Sequence, residues 1–237
     1  MEYPLSLSEQ IKFLKENPEF FKGFGKYTEP YNGKLVDKII EKVRSDKVPL
    51  WGLENEIRKY FRKVKVEVSY ILPVKYMEDH QIVGGCTEFA LLTAAILRKL
   101  GYPTAILYAV KVNNVFQDPI KGGGLEGHAV NLVYKDGSWW LLDSTSTIES
   151  PTKFIFTRLF YNGYLPGLIM KDPADLGIKN RQDEYFYALY NLENVLLLAL
   201  QEDIIDPKKL FIQGVYKKRL KSKLNNNLNF YNTIRGY

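Results

Sequence analysis

Cysteine and histidine are scarce in this sequence of 237 residues, which contains one cysteine, Cys86, and two histidines, His80 and His128. A single cysteine cannot form an intramolecular disulfide, and with two histidines it cannot complete a standard four-ligand zinc site. We therefore expect no bound metal and no cofactor. Any covalent chemistry of a thiol must come from Cys86.

Long hydrophobic runs and a secretory leader are also missing from the sequence. A membrane-spanning helix needs roughly 18 apolar residues, whereas the apolar run at residues 195–200 is far shorter. Residues 1–4 do not show the order of charged, apolar and small residues that marks a signal peptide. From these absences we expect a cytoplasmic protein with no membrane partner.

Positive charge is distributed unevenly along the chain. The net charge is +6, yet residues 206–237 alone contain eight lysines and arginines against one aspartate. The rest of the chain is therefore close to neutral. A basic C-terminal segment at 206–237 suits an acidic partner, nucleic acid or an anionic surface. Charge runs more often only solvate a surface, so both interpretations stay open.

Hydrophobic spacing predicts a mixture of helices and strands. The predicted helices begin near an N-cap at Ser6 or Ser8 and include residues 35–43, 51–63, 86–100 and 183–201. Predicted strands cover residues 64–70, 104–112, 127–134 and 138–143. Residues 72–83 and 113–124 are predicted loops. After residue 151 the pattern weakens, and Gly and Pro residues at 163–167 favour irregular structure.

Cys86 opens the most apolar of these predicted helices. Gly84 and Gly85 allow a sharp turn before it, and Gly101 with Pro103 provides the stop signal. Backbone N–H groups and the helix dipole at a helix N-terminus favour negative charge, which lowers the pKa of a thiol. Cys86 is therefore a candidate nucleophile, although a lone cysteine is more often a small buried hydrophobic residue.

The two histidines are the candidate bases for this thiol. His80 lies six residues before Cys86, but only Glu78 and Asp79 flank it. His128 begins a predicted strand, where a histidine is often merely hydrogen-bonded. The choice between them depends on the strand that follows, because an oriented base needs a third group to fix its tautomer.

An Asp136-Gly137 turn fixes the register of the strands on either side of it. Asp-Gly favours a two-residue type I′ hairpin, which pairs Tyr134 with Trp139. His128 and Asp143 then become diagonal neighbours on one face of the sheet, about 7–8 Å apart. A carboxylate at Asp143 can orient the imidazole toward a thiol, although Asp143 could equally just end a strand.

Three sequence blocks in order resemble the transglutaminase-like superfamily. They read GGCTEFA at 84–90, LRKLGYPTA at 97–105, and GHAVNLV followed by DGSWWLLDST within 127–145. The family pattern is G-x-C-x-(E/D)-x-A, a helix ending in L-R-x-L-G, then G-H-A-x-N and G-x-W-x-x-x-D-x-T. Val130 and Ser144 depart from it, because the family often has Trp and Pro there. The single cysteine excludes the zinc-bearing peptide N-glycanase branch, and no residues resemble the calcium sites of animal transglutaminases.

The resemblance implies a papain-like α+β fold. A central helix carrying the cysteine would pack against an antiparallel sheet, with extra helices at the N- and C-terminal sides. We expect one transglutaminase-like domain at residues 1–205, with its catalytic core at about 50–160. The resemblance assigns the nucleophile to Cys86, the base to His128 and the orienting carboxylate to Asp143.

It also implies acyl-transfer chemistry on a peptide or protein amide. We favour hydrolysis by a peptidase, amidase or isopeptidase through a thioester, because microbial members of the family are regarded as peptidase-like. The alternatives are transglutaminase cross-linking, or a non-enzymatic binding module that uses the basic C-terminal segment. The Cys86 backbone N–H and a side chain of the approach loop would hold the oxyanion; Gln81 is the expected donor and Tyr76 the alternative. Residues 113–126 are expected to border the cleft.

Overall fold

The computed structural model describes residues 6–67, 69–111, 127–148, 150–154, 164–181, 183–184, 187–188 and 191. The loop predicted at 113–124, most of the helix predicted at 183–201 and the basic segment at 206–237 lie outside these ranges. Described residues from 181 to 191 are helical. We refer to them as the 181–191 segment.

Most α-helices of the described chain bury one apolar face, whereas one helix buries most of its surface. They are α1 (Leu7–Glu16), α2 (Leu35–Arg44), α3 (Leu53–Tyr60), α4 (Val74–His80) and α5 (Cys86–Lys99). The Ser6 hydroxyl caps α1 by accepting from the Glu9 N–H at 3.4 Å. In α2, Val36, Ile39 and Ile40 are buried at the i, i+3, i+4 spacing of one helix face.

The strands form one small parallel pair and one larger antiparallel sheet. The pair joins β1 (Arg62–Lys63) to β2 (Ile82–Val83). The larger sheet has the order β6-β5-β4-β3-β7, all antiparallel. Its strands are β3 (Thr104–Lys111), β4 (Gly127–Lys135), β5 (Ser138–Leu142), β6 (Thr152–Lys153) and β7 (Tyr164–Met170).

The register predicted for the β4–β5 hairpin is confirmed. Tyr134 pairs with Trp139 and Leu132 with Leu141. Asp136 and Gly137 both have positive φ, 52° and 73°, as a type I′ turn requires. The hairpin therefore places residues 128 and 143 on the same face of the sheet.

Helix α5 lies at the centre of the fold. Its residues from Thr87 to Arg98 are all buried. It contacts β3 and β4 on one side and α2, α3 and α4 on the other. The expected arrangement is confirmed: a cysteine-bearing helix packs against an antiparallel sheet, with helices before it in the chain and a helical segment after it.

A buried polar cluster fixes the C-terminal end of α5, and we call it the Asp172 cluster. The carboxylate of Asp172 accepts from the backbone N–H of Tyr27 at 3.0 Å and of Thr28 at 2.9 Å, and from the Thr28 hydroxyl at 2.8 Å. Arg98 donates to that hydroxyl oxygen at 3.0 Å and to the carbonyls of Thr104 and Lys171. Burial lowers the pKa of Arg98 to about 10, against the raising effect of the Asp172 charge.

The strand predicted at residues 64–70 is wrong. Regular pairing stops at Lys63, after which only the Val64 N–H donates to the Val83 carbonyl, at 2.8 Å. After Val83, the segment that forms β2 leads into α5 and no longer runs beside this region. Alternating side chains alone do not make a strand, because its backbone N–H and C=O groups need a neighbouring strand to pair with. The described residues of 65–70 therefore have no strand structure.

The loop predicted at residues 72–83 is also wrong, because it contains α4. Pro73 is the N-cap, where a missing N–H costs nothing. The buried face consists of Val74, Met77 and Glu78. Glu78 interrupts the apolar spacing that would otherwise predict this helix. Its carboxylate is buried, where it accepts hydrogen bonds from the N–H groups of Tyr31 and Val36.

Strand β7 replaces the irregular structure expected near residues 163–167. It pairs with β3 at the edge of the sheet, where a proline, which has no backbone N–H to donate, can be accommodated. The register shifts so that Tyr108 pairs with Leu168 but Ala109 pairs with Pro166, which leaves Gly167 in a bulge. The Pro-Gly pair thus marks a bulge in an edge strand.

Within the described residues, the longest apolar helix is still too short to cross a membrane.

Candidate active site

Cys86 is the first residue of α5 and is partly exposed. Burial raises the pKa of its thiol, but several contacts outweigh that effect. His128 contributes a hydrogen bond and charge, the Ala129 backbone a further hydrogen bond, and Arg181 a positive charge. The pKa of the thiol therefore lies below its ordinary value. Such a thiol holds its negative charge at a lower pH than a free cysteine does.

His128, near the start of β4, connects the thiol to a carboxylate. Its Nε2 lies 2.8 Å from Oδ2 of Asp143, which leaves Nδ1 as the ring nitrogen available to the Cys86 thiol. Burial lowers the pKa of the imidazole, but Asp143 and Cys86 together raise it to about 9. A thiol with a lowered pKa beside an imidazole with a raised pKa favours the thiolate–imidazolium pair near neutral pH.

Asp143 is held rigidly just after β5. Its Oδ2 also accepts from the N–H groups of Thr147 at 2.8 Å and Ile148 at 2.7 Å. Its Oδ1 accepts from the N–H and hydroxyl of Thr145, at 2.8 Å and 2.7 Å. Burial raises the pKa of the carboxyl, but His128 and these donors lower it below the ordinary value. The carboxylate is thus charged and fixed toward the imidazole.

The residues around this site match a known family. The match is to the transglutaminase-like superfamily and covers residues 34–144. This part of the chain is a transglutaminase-like domain. It runs from just before α2 to just after Asp143, so it contains Cys86, His128 and Asp143. The fold is accordingly the papain-like α+β fold that the sequence resemblance implied.

One solved structure similar to this chain is that of a "putative cysteine protease" from Cytophaga hutchinsonii. The two are 18% identical with a TM-score of 0.47, and the aligned region covers 68% of this chain and 50% of that one. The chain therefore spans about half the length of that protein, and the similarity carries no functional conclusion. No curated protein matches the sequence.

Gly84, two residues before Cys86, has a packing role. A Cβ added to Gly84 would lie 2.4 Å from Oε2 of Glu88 and 2.7 Å from Cγ2 of Val66. Glu88 is fully buried, and its Oε2 accepts from the Gly85 N–H at 2.9 Å. The glycine therefore makes room for a carboxylate beneath the first turn of α5.

We expect Gly84→Ala to lower the free energy of unfolding by about 1–3 kcal/mol, because the new methyl group must displace the Glu88 carboxylate or Val66. Urea denaturation measures the change. Gly23→Ala is the control: its Cβ would meet nothing closer than 3.6 Å, so stability should stay level or rise slightly. Equal effects of the two substitutions would contradict this packing role.

Sequence reasoning missed three residues that lie close to Cys86, His128 or Asp143. Thr145 holds Asp143 and lies 3.3 Å from His128 through its hydroxyl. Arg181 pairs with Glu88, and Glu184 accepts from the Thr87 hydroxyl at 3.0 Å. The Glu in the family motif signals a buried charge, but nothing in the spacing shows which of 33 lysines and arginines would neutralise it.

The other candidates lie apart from these contacts. Gln81 is exposed and ends α4 with left-handed backbone, φ 52°, and its side chain forms no hydrogen bond within the described part of the chain. Its role as the oxyanion donor stays a prediction. His80 is also exposed, and its ring stacks on Tyr76 at 4.0 Å. Among the residues that the structure describes, no group of three or more His, Cys, Asp or Glu side chains could hold a metal ion.

Proposed function

We propose that this chain is a cysteine-dependent hydrolase of amide bonds in peptides or proteins, with Cys86 as nucleophile, His128 as acid and base, and Asp143 as the orienting carboxylate. The observation that carries the proposal is the placement of one imidazole at the N-terminus of α5, where His128 lowers the pKa of the Cys86 thiol and its Nε2 lies 2.8 Å from Oδ2 of Asp143. The transglutaminase-like family supports a cysteine-dependent enzyme at this general level.

In the first step, the Cys86 thiolate attacks the carbonyl carbon of the amide. A C–S bond forms and the carbonyl electrons move to oxygen, where the Cys86 backbone N–H at the start of α5 can donate to the oxyanion. The oxyanion then collapses as the C–N bond breaks. Imidazolium His128 gives its proton to the departing amine, which leaves a thioester and a neutral imidazole.

In the second step, water attacks the thioester carbonyl while His128 accepts one of its protons. The C–S bond breaks, the acid is released and the thiolate–imidazolium pair is restored. Asp143 stays ionised throughout, because its role is to hold the tautomer and stabilise the imidazolium. Water is the favoured acceptor because, unlike an amine, it needs no binding site of its own.

The test is a search for a covalent acyl group on Cys86. We expect the enzyme, mixed with a peptide-amide library in the presence of a fluorescent primary amine, to form a thioester detectable by intact-protein mass spectrometry. Release of free carboxylic acids supports hydrolysis, whereas peptides labelled with the amine show transglutaminase cross-linking instead. A Cys86→Ala control must form no adduct. If wild type forms none with either an amide or an activated ester, the enzyme proposal is wrong and a binding module remains.

The same assay should show a bell-shaped dependence on pH. Activity will decline as pH rises through about 9, since His128 loses the proton that the leaving amine needs. It will also decline on the acid side, as the pH falls through the lowered pKa of Cys86 and the thiolate is protonated.

A further inference from the structure

A set of charged and polar side chains lies behind the nucleophile and takes no part in the steps above. We call it the buried cluster; it consists of Thr87, Glu88, Arg181 and Glu184. Two members belong to the first turn of α5, and two come from the 181–191 segment, outside the matched residues 34–144. The cluster therefore joins the nucleophile's helix to a part of the chain for which the family gives no role.

Glu88 is a fully buried carboxylate with three donors. Its Oε2 accepts from Gly85 N–H at 2.9 Å and from Arg181, and its Oε1 accepts from the Leu72 N–H at 3.4 Å. Two of these donors are backbone groups beside the start of α5, and the third, Arg181, forms an ion pair with the carboxylate. A negative charge thus lies two residues from Cys86, where it opposes formation of the thiolate.

Arg181 is the cation that answers this charge. Its Nη2 bonds to Glu88, and the same guanidinium lies 3.4 Å from the place where a Cβ on Gly85 would be. It therefore packs against the residue immediately before Cys86. Its positive charge lowers the pKa of the thiol.

Glu184 is mainly protonated at neutral pH, so it adds little negative charge to the cluster. It is 1% exposed, its Oε2 accepts from the Thr87 hydroxyl at 3.0 Å, and its Oε1 is buried without a hydrogen-bond partner in the described chain. Burial above all, and the nearby charges of Cys86 and Glu88, raise its pKa to about 8. The positive charge of the Arg181 guanidinium is therefore available to neutralise the Glu88 carboxylate.

The groups that act on the thiol are therefore His128 from β4, with Asp143 behind it, and Arg181 and Glu184 from the 181–191 segment. Glu88 lies on the same helix as the thiol, two residues from Cys86. With Arg181 paired to Glu88, imidazolium His128 is the main positive charge that balances the thiolate. Without Arg181, the Glu88 carboxylate would compete with the thiolate for positive charge.

We propose that Arg181 is a positioning residue of this active site, which neutralises buried Glu88 and thereby keeps the Cys86 thiol ionised. The inference rests on the proposed function, since it concerns the same nucleophile. It extends the active site to a segment beyond residues 34–144.

The experiment measures the rate of Cys86 alkylation by iodoacetamide as a function of pH, which needs no substrate. We expect Arg181→Met to raise the midpoint of this profile by about one pH unit, a tenfold loss of rate below both midpoints. Arg181→Lys keeps the charge and should lie between Arg181→Met and wild type. The double variant Glu88→Gln with Arg181→Met removes both charges and should return the midpoint to within about half a unit of wild type.

Arg62→Met is the matched control, because Arg62 is exposed and its side chain has no hydrogen bond within the described residues. Its profile should match wild type. The proposal is overturned if Arg181→Met also matches wild type, or if the double variant stays as slow as Arg181→Met. If Arg181→Met does not fold, the lysine and double variants decide by the same criteria. A wild-type profile identical to that of a free thiol instead refutes the proposed function itself.

Discussion

Replacing His128 with alanine will lower the rate at which iodoacetamide alkylates Cys86 near pH 6 by about two orders of magnitude. In the native site, the imidazolium lowers the pKa of the thiol despite burial. Without it, the thiol returns at least to an ordinary pKa of about 8.5, so that only about 0.3% is thiolate at that pH. Because Cys86 is the single cysteine, the alkylated fraction read by mass spectrometry belongs to this site alone.

His80→Ala is the matched control for this prediction. His80 is the other histidine, it is exposed, and its Nδ1 lies 3.0 Å from the Tyr76 carbonyl. We expect its loss to leave the alkylation rate within about twofold of wild type, as is usual for a surface substitution. If both variants slow alkylation equally, or if neither does, His128 is not the group that ionises the thiol.

The second large effect is on stability. We expect Asp172→Ala to lower the free energy of unfolding by about 3 kcal/mol, since the substitution leaves the Tyr27 and Thr28 N–H groups buried without an acceptor. It also removes a carboxylate that compensates the buried charge of Arg98. Urea denaturation followed by circular dichroism measures the change as a shift in midpoint.

Glu29→Ala provides the comparison for that experiment. Glu29 pairs with Lys75 at 2.6 Å, but both side chains are largely exposed. Its loss should cost less than about 1 kcal/mol. If the two substitutions destabilise the protein equally, the Asp172 cluster does not fix the end of α5 in the way described.

The pairing of His128 with Asp143 could be predicted because local rules decide it. An Asp-Gly turn needs two residues with positive φ, and that requirement sets the hairpin register without reference to the rest of the chain. The helix that begins at Cys86 follows equally from adjacent glycines and a continuous apolar surface. Both features depend on residues close together in the sequence.

The errors arose where distant residues decide the structure. Residues 64–70 alternate in sequence like a strand, but the described residues among them have no strand partner past Val83. Helix α4 was missed because the buried Glu78 interrupts its apolar pattern. Strand β7 depends on pairing with β3, more than fifty residues earlier in the chain. Arg181 and Glu184 likewise reach α5 across 93 and 97 residues, and no local pattern predicts such contacts.

Both ends of α5 are thus held by residues that lie far after it in the sequence. Glu88 at one end depends on Arg181, and Arg98 at the other depends on residues 171–172. Contacts of this separation form only when most of the chain has come together. We therefore expect the alkylation of Cys86 at low pH to report complete folding, so that one labelling reaction would rank variants by both the formation of their site and the integrity of their fold.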